Sequence, residues 1–285
     1  MRSTTLLLLS LVLLLASGDL FAKSKKSPAA SPKRTHRQEQ QLKKKITVDP
    51  KKVREDRDLR KNVRQNGGFV WIQGVPMYDQ GSRPECAIAV VKRLLDYYAT
   101  HNHVDMRDLR NALGYRPEFG TNLGYMVQAI QRYSSRLRLR FQDIYDYHMT
   151  KEDLDYYNKI VKDKANRGML DNNVLNWPEF LRNLEYPAWQ QMRGRQKEQR
   201  HAWLSVTRAI DQGIPVVWGV YLGMVKEQNR KQNSGAHLRM IIGYNSAKRQ
   251  IYYTDSWGKG HERKAMPWEV AWAITWHLFV LEPKN

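Results

Sequence analysis

Among 285 residues the chain has one cysteine, Cys86, and this thiol is the first group that could carry covalent chemistry. A lone cysteine cannot close an intramolecular disulfide, so it reads as a reactive thiol, an intermolecular link or a small buried hydrophobe. Thiol hydrolysis needs four things: a thiolate, a base that holds and moves the proton, an orienter for that base, and donors for the oxyanion. The sequence offers a residue for each role. Gln80 lies six residues before Cys86, across the turn Gly81-Ser82-Arg83-Pro84. That turn can fold the Gln80 amide toward the backbone N–H of Cys86, pairing two oxyanion donors. His237 and Asp255 are candidates for the base and its orienter.

The elements around these residues must position them. Val90, Val91, Leu94, Leu95 and Tyr98 recur at helical spacing, and Pro84 stands where a helix start tolerates proline. Cys86 therefore falls in the first turn of a helix, whose N-terminus lowers a thiol pKa. Far downstream, Leu238–Tyr244 and Gln250–Thr254 read as strands joined by a turn at Asn245-Ser246-Ala247. If Tyr244 faces Lys248, then His237 faces Asp255, with Cβ atoms ~5 Å apart on one face. A one-residue slip or a bulge would break that pairing. Each residue also has a plainer reading: His237 as a surface or hydrogen-bonded side chain, Asp255 as a turn initiator. Arg239 shares the expected face of His237 and has no assigned role; it lines the cleft edge or points to solvent.

Helices are expected at Asp105–Leu113, Leu123–Tyr133 and His201–Gln212, with Gly213 as a stop signal. Leu137–Phe141 alternates as a short strand does. Residues 145–200 read as a polar helical insertion or lid of unassigned role. Ile214–Tyr221 and Ile274–Leu281 complete a strand-rich C-terminal third. Helices first and strands afterwards imply an α+β fold with two lobes.

The N-terminal region differs in kind. Met1 and Arg2 precede a leucine-rich run, Thr5–Ala16, of about a dozen residues, too short for a span of ~20. Residues 1–22 read as a secretory signal peptide cut near Gly18 or Ala22, or else as an uncleaved anchor. The chain is then exported, periplasmic or secreted. Residues 23–66 read as a disordered basic tail, since Lys23–Arg64 holds sixteen Lys and Arg against five acids, a large share of the net +20. Such a run is a solubilising stretch or a tether to anionic envelope polymers or lipid headgroups; nucleic acid is disfavoured for an exported chain. Residues 67–285 are the folded domain.

Asp79-Gln80-Gly81-Ser82-Arg83-Pro84-Glu85-Cys86 resembles the Gln-Gly-Ser-x-x-x-Cys segment of papain-like cysteine peptidases. Ala236-His237, Ile242-Gly243-Tyr244 and Asp255-Ser256-Trp257-Gly258-Lys259-Gly260 resemble their histidine strand and Asn-Ser-Trp-Gly-x-Gly segment. The resemblance is nearest to the bacterial branch related to the peptidases that remove double-glycine leaders from bacteriocins, which uses Asp where papain has Asn. Gly213–Val216 matches its Gly-x-Pro-Val strand. The resemblance implies a papain-like two-lobed fold, a peptide or protein substrate, Cys86 as nucleophile, His237 as base and acid, Asp255 as orienter and Gln80 as oxyanion donor. Trp257 would shield the His–Asp hydrogen bond. Two residues depart from the pattern: Ala87 replaces papain's tryptophan, and Glu85 brings a carboxylate next to the thiol, which would oppose thiolate formation if it pointed inward.

No cofactor or metal is implied. His101-Asn102-His103 lacks carboxylate or thiolate partners, and no phosphate loop or dinucleotide fingerprint occurs. Trp268 and Trp272 read as a helix packing face, and His261 as a residue near the cleft rim. Two functions follow: an exported cysteine hydrolase cutting peptide or amide bonds, or a catalytically silent papain-like domain that binds an envelope component.

Overall fold

The computed structural model describes residues 35–45, 58–98, 105–117, 127–128, 130–131, 138–162, 184–227 and 234–284. The expected signal peptide, most of the basic tail, the His101–His103 pair and most of the helix expected at Leu123–Tyr133 lie outside these residues.

The elements run in the order α1 (His36–Lys45), β1 (Val63–Asn66), β2 (Phe69–Ile72), α2 (Cys86–Tyr97), α3 (Met106–Ala112), β3 (Leu139–Asp146), α4 (Lys151–Lys162), α5 (Tyr186–Gly194), α6 (Glu198–Asp211), β4 (Val216–Leu222), β5 (Gly235–Asn245), β6 (Gln250–Thr254), β7 (Lys264–Pro267), α7 (Trp268–Ile274) and β8 (Thr275–Pro283). Among the described residues all strand pairs are antiparallel, in one eight-stranded sheet. Its main path is β1-β2-β5-β4-β8-β3, and β6 adds to β5 and carries β7. The α+β class expected from the sequence is the class observed.

Apolar patterning explains the layers. α2 buries Ile88, Val91, Leu94 and Leu95 against one face of the sheet, at Val217, Leu238, Met240 and Phe279. On the opposite face, Trp203, Val206 and Ile210 of α6 and Trp268 and Trp272 of α7 cover Trp218, Ile241, Tyr253 and Leu278. The two tryptophans do form a packing face. Each fully buried large side chain contributes roughly 1.5–3 kcal/mol by leaving water, so the sheet is a rigid base for the groups at its edge.

Three boundaries differ from the sequence reading. The span expected as a tail through residue 66 ends in ordered chain, because Val63–Asn66 pairs with Phe69–Ile72 across the Gly67-Gly68 turn. Within the same span α1 is helical and buries Leu42 in the α2 core. The strand expected at Leu137–Phe141 runs instead over Leu139–Asp146, so Tyr145 and Asp146, taken as the start of the insertion, belong to β3. At the other end, Glu198–Arg200 belong to α6. Between these bounds α4 and α5 pack Leu154, Tyr157, Trp189 and Met192 into a small core of their own. This unit is fastened to the α7–β8 corner: Trp189 Nε1 donates to the Ala273 carbonyl (2.7 Å), and the buried Arg193 donates to the Trp272 and Thr275 carbonyls.

Candidate active site

Cys86 is the first residue of α2, placed by the Gly81–Pro84 turn. Burial alone would push its thiol pKa up. A hydrogen bond with His237, the charge of that ring and the backbone N–H groups of Leu238 and Ala87 reverse the direction, and the thiol titrates below its ordinary value. His237 lies in β5 and is buried. Its Nε2 meets Asp255 Oδ1 at 2.6 Å, which leaves Nδ1 as the ring nitrogen for the thiol. Burial disfavours the imidazolium, but Asp255 and then Cys86 favour it more strongly, and the His237 pKa is raised to about 9. Asp255, fully buried just after β6, is pushed up by burial and held well below the carboxylate range by His237 and Arg239.

The hairpin register differs from the one expected. Tyr244 pairs with Ile251 rather than Lys248, a shift that alone would have sent His237 and Asp255 to opposite faces. A bulge at Ile242 shifts the register once more, so that Ile241 pairs with Tyr253 and Met240 with Thr254. Extending that register, Asp255 falls opposite Arg239, and His237 is its diagonal neighbour on the same face. The imidazole still reaches the carboxylate, but Arg239 occupies the direct position.

Arg239 thereby gains a location that the sequence did not supply. Its side chain is fully buried and donates from Nε to Asp255 Oδ2 (2.7 Å) and from Nη1 to Glu227 Oε1 (2.8 Å). Tyr253 OH donates to the other Glu227 oxygen (2.7 Å). The guanidinium lies near the rings of Tyr253, Trp218 and Trp257. A second arginine missed by sequence reasoning is Arg93 on α2, 1% exposed. It donates to the Pro76 carbonyl (2.6 Å), the Asp255 carbonyl (3.0 Å) and Thr254 Oγ1 (2.7 Å), tying the nucleophile's helix to the strand end that carries Asp255. A charged residue inside an apolar helical stripe was the available signal for Arg93, and a charged residue on the face of His237 was the signal for Arg239.

Gln80 is brought to the same place. Its backbone N–H donates to the Ser256 carbonyl (2.9 Å), its Oε1 accepts from Ser256 Oγ, and one amide N–H donates to the Arg83 carbonyl (2.7 Å), leaving the second amide N–H. The segment after Asp255 thus holds Gln80 from both ends. Trp257 stacks on His237 with centroids 4.4 Å apart and planes 7° from parallel. His261 meets the Trp257 edge, and its carbonyl accepts the Asp255 N–H (3.0 Å). Gly258 has φ +74°, and a Cβ there would stand 2.5 Å from Asp79 Oδ2.

Glu85 is held by Arg110 and Tyr78. It is 1% exposed and takes a two-pronged ion pair from Arg110 of α3 (both contacts 3.0 Å), with Tyr78 OH donating to it at 3.3 Å. Burial pushes its pKa up, while Arg110 and Arg83 hold it below the usual range. Its negative charge is therefore matched locally. Among the described residues no group of three or more His, Cys, Asp or Glu could hold a metal ion, and no helix is long and apolar enough to cross a membrane.

Residues 72–279 match the model of the Peptidase_C39 like family, and the chain belongs to that family. It is a cysteine peptidase of α+β fold. Two solved structures are similar. One is a C39-like protein from Bacillus anthracis, 14% identical, covering 76% of this chain and 98% of its own, with a TM-score of 0.41. The other is xylellain, a cysteine protease from Xylella fastidiosa, 11% identical, covering 85% and 92%, with a TM-score of 0.40. No curated protein matches.

Proposed function

We propose that the chain hydrolyses peptide or amide bonds through Cys86, His237 and Asp255, with Gln80 completing the oxyanion site. The observation that carries this reading is the His237 ring standing between the thiol at the head of α2, whose pKa it lowers, and Asp255, which it meets through Nε2 at 2.6 Å. In that arrangement the thiolate attacks the substrate carbonyl carbon and the carbonyl oxygen becomes an oxyanion, which accepts from the Cys86 backbone N–H and the remaining Gln80 amide N–H. As the C–N bond breaks, the imidazolium gives its Nδ1 proton to the departing amine. Water then attacks the thioester carbon, His237 takes the water proton, and the C–S bond breaks to release the acid and the thiolate. Asp255 accepts from Nε2–H throughout and fixes the tautomer.

The Arg110 ion pair on Glu85 favours hydrolysis over a silent, binding-only domain. The leucine-rich N-terminus supports action outside the cytoplasm, and the basic residues 23–66 suit attachment to anionic envelope polymers or lipid headgroups. The reading is tested by incubating exported proteins with the enzyme and with Cys86→Ala, then mapping new termini. Cleavages present only with intact Cys86 support it. Identical terminus maps, repeated on cell-wall peptides, would count against hydrolysis.

A further inference from the structure

Resting on the Cys86–His237 reading, we infer that Arg239 and Glu227 are positioning residues that set how much negative charge Asp255 presents to His237. Arg239 makes Asp255 a shared carboxylate: Oδ1 serves the imidazole and the Ser256 N–H, and Oδ2 serves a guanidinium that cannot lose its proton at working pH. On its own, that cation would neutralise Asp255 and leave little charge to stabilise an imidazolium. Glu227 restores it. Its side chain is 7% exposed, and one oxygen accepts from Arg239 while the other accepts from Tyr253 OH. Among Asp255, Glu227, Arg239 and His237, a protonated His237 balances two carboxylates with two cations and a neutral one leaves a negative charge in excess; the buried Arg93 cation stands one step outside this set, on the Asp255 carbonyl. The fixed charges therefore favour the proton that His237 must later deliver.

The groups that face this network come from every packed element. Cys86 and Arg93 approach from α2, the latter through the Asp255 carbonyl and Thr254. Tyr253 approaches from β6, and His261 through Trp257 from the loop after it. Geometry separates the parts played: Arg239 fixes the far carboxylate oxygen, and Glu227 is joined to Asp255 through Arg239.

The test uses Cys86 carboxymethylation by iodoacetate in the full chain, which needs no identified substrate. The rate rises as the thiolate forms and falls as the imidazolium that attracts the anionic reagent loses its proton. Glu227→Gln keeps the side-chain shape and removes one negative charge, so the alkaline limb moves down by about one pH unit. Arg239→Gln removes the cation, so that limb moves up by a similar amount. The opposite signs are the diagnostic, and either variant alone gives a decisive sign if the other does not fold. Tyr253→Phe, which changes no charge, leaves the limb in place. A purely structural role would lower melting temperature or rate without moving the limb, and limbs that stay put or move together in folded variants overturn the inference. A wild-type profile lacking a fall at high pH would instead indict the Cys86–His237 pair itself.

Discussion

Replacing Arg93 by methionine or lysine gives opposite tests of what holds the nucleophile's helix against the Asp255 strand. Arg93 is buried, and burial pulls its pKa down to about 10 despite the nearby Asp255 charge, so keeping the guanidinium desolvated is itself costly. Methionine fills much of the same volume and removes that cost. It also orphans the Pro76 carbonyl and leaves the Asp255 carbonyl a long contact from Thr254 Oγ1 (3.5 Å), at about 1–3 kcal/mol each; Thr254 Oγ1 keeps the His261 carbonyl as its nearer acceptor (3.2 Å). The lost carbonyl bonds outweigh the relief, and the net loss is about 2 kcal/mol. Lysine carries its charge into the same burial, but a point-like ammonium cannot replace a fork that serves three separated acceptors. Arg93→Lys should therefore be the less stable variant, by roughly 1–2 kcal/mol beyond Arg93→Met. Urea unfolding followed by tryptophan fluorescence measures both. The methionine variant should lose about 4–8 °C in melting temperature, at the ~2–4 °C per kcal/mol usual for a domain of this size. A lysine variant as stable as wild type would refute the reasoning, since it would show that one acceptor is enough.

Other expectations follow from the same geometry. Gly258→Ala forces a Cβ onto Asp79 Oδ2 at a left-handed φ; about 2 kcal/mol of stability should be lost. Because Asp79 also accepts the Gly81 N–H, kcat should fall more than KM rises on a peptide substrate. Arg110→Ala strands the buried Glu85 charge beside the thiol, so Cys86 alkylation at neutral pH should slow by roughly tenfold, and Glu85→Gln in the same chain should restore it. His237 has a raised folded pKa, so its stabilising contribution is complete below its ordinary 6.5 and is lost as pH rises through about 9. Asp255 has a depressed one, so its contribution is present above its ordinary 3.8 and is lost as pH falls below that. Thermal unfolding across pH should show both losses, with the alkaline one absent in His237→Ala.

The parts of the site that lie in continuous segments were legible in the sequence. Cys86 heads a helix because Pro84 and a 3.6-residue apolar period say so locally, and Gln80 is close in sequence. The hairpin was legible as a hairpin but not in its register, because the turn extends to Arg249, which adopts φ +46°, and a bulge at Ile242 follows. Neither has a strong residue signature. The two deviations act together to keep His237 and Asp255 on one face, as diagonal neighbours rather than directly opposite as the assumed register had them. Arg93, Arg239 and Glu227 were invisible as a set because their partners are up to 162 positions apart, and a buried cation looks like a surface one until its acceptors are known. Val63–Asn66 was missed for a related reason: a short strand rich in polar residues at a sheet edge carries the composition of the tail before it.

Because Cys86 is the only cysteine, thiolate absorbance near 240 nm, taken as the difference from Cys86→Ser, reports this one group. Titrated from acid to alkali, the wild-type protein should show the thiolate step well below the ordinary ~8.5 of a free thiol, and His237→Ala should move that step to ~8.5 or above. Superimposable curves for the two proteins would mean that the imidazole does not hold the thiolate.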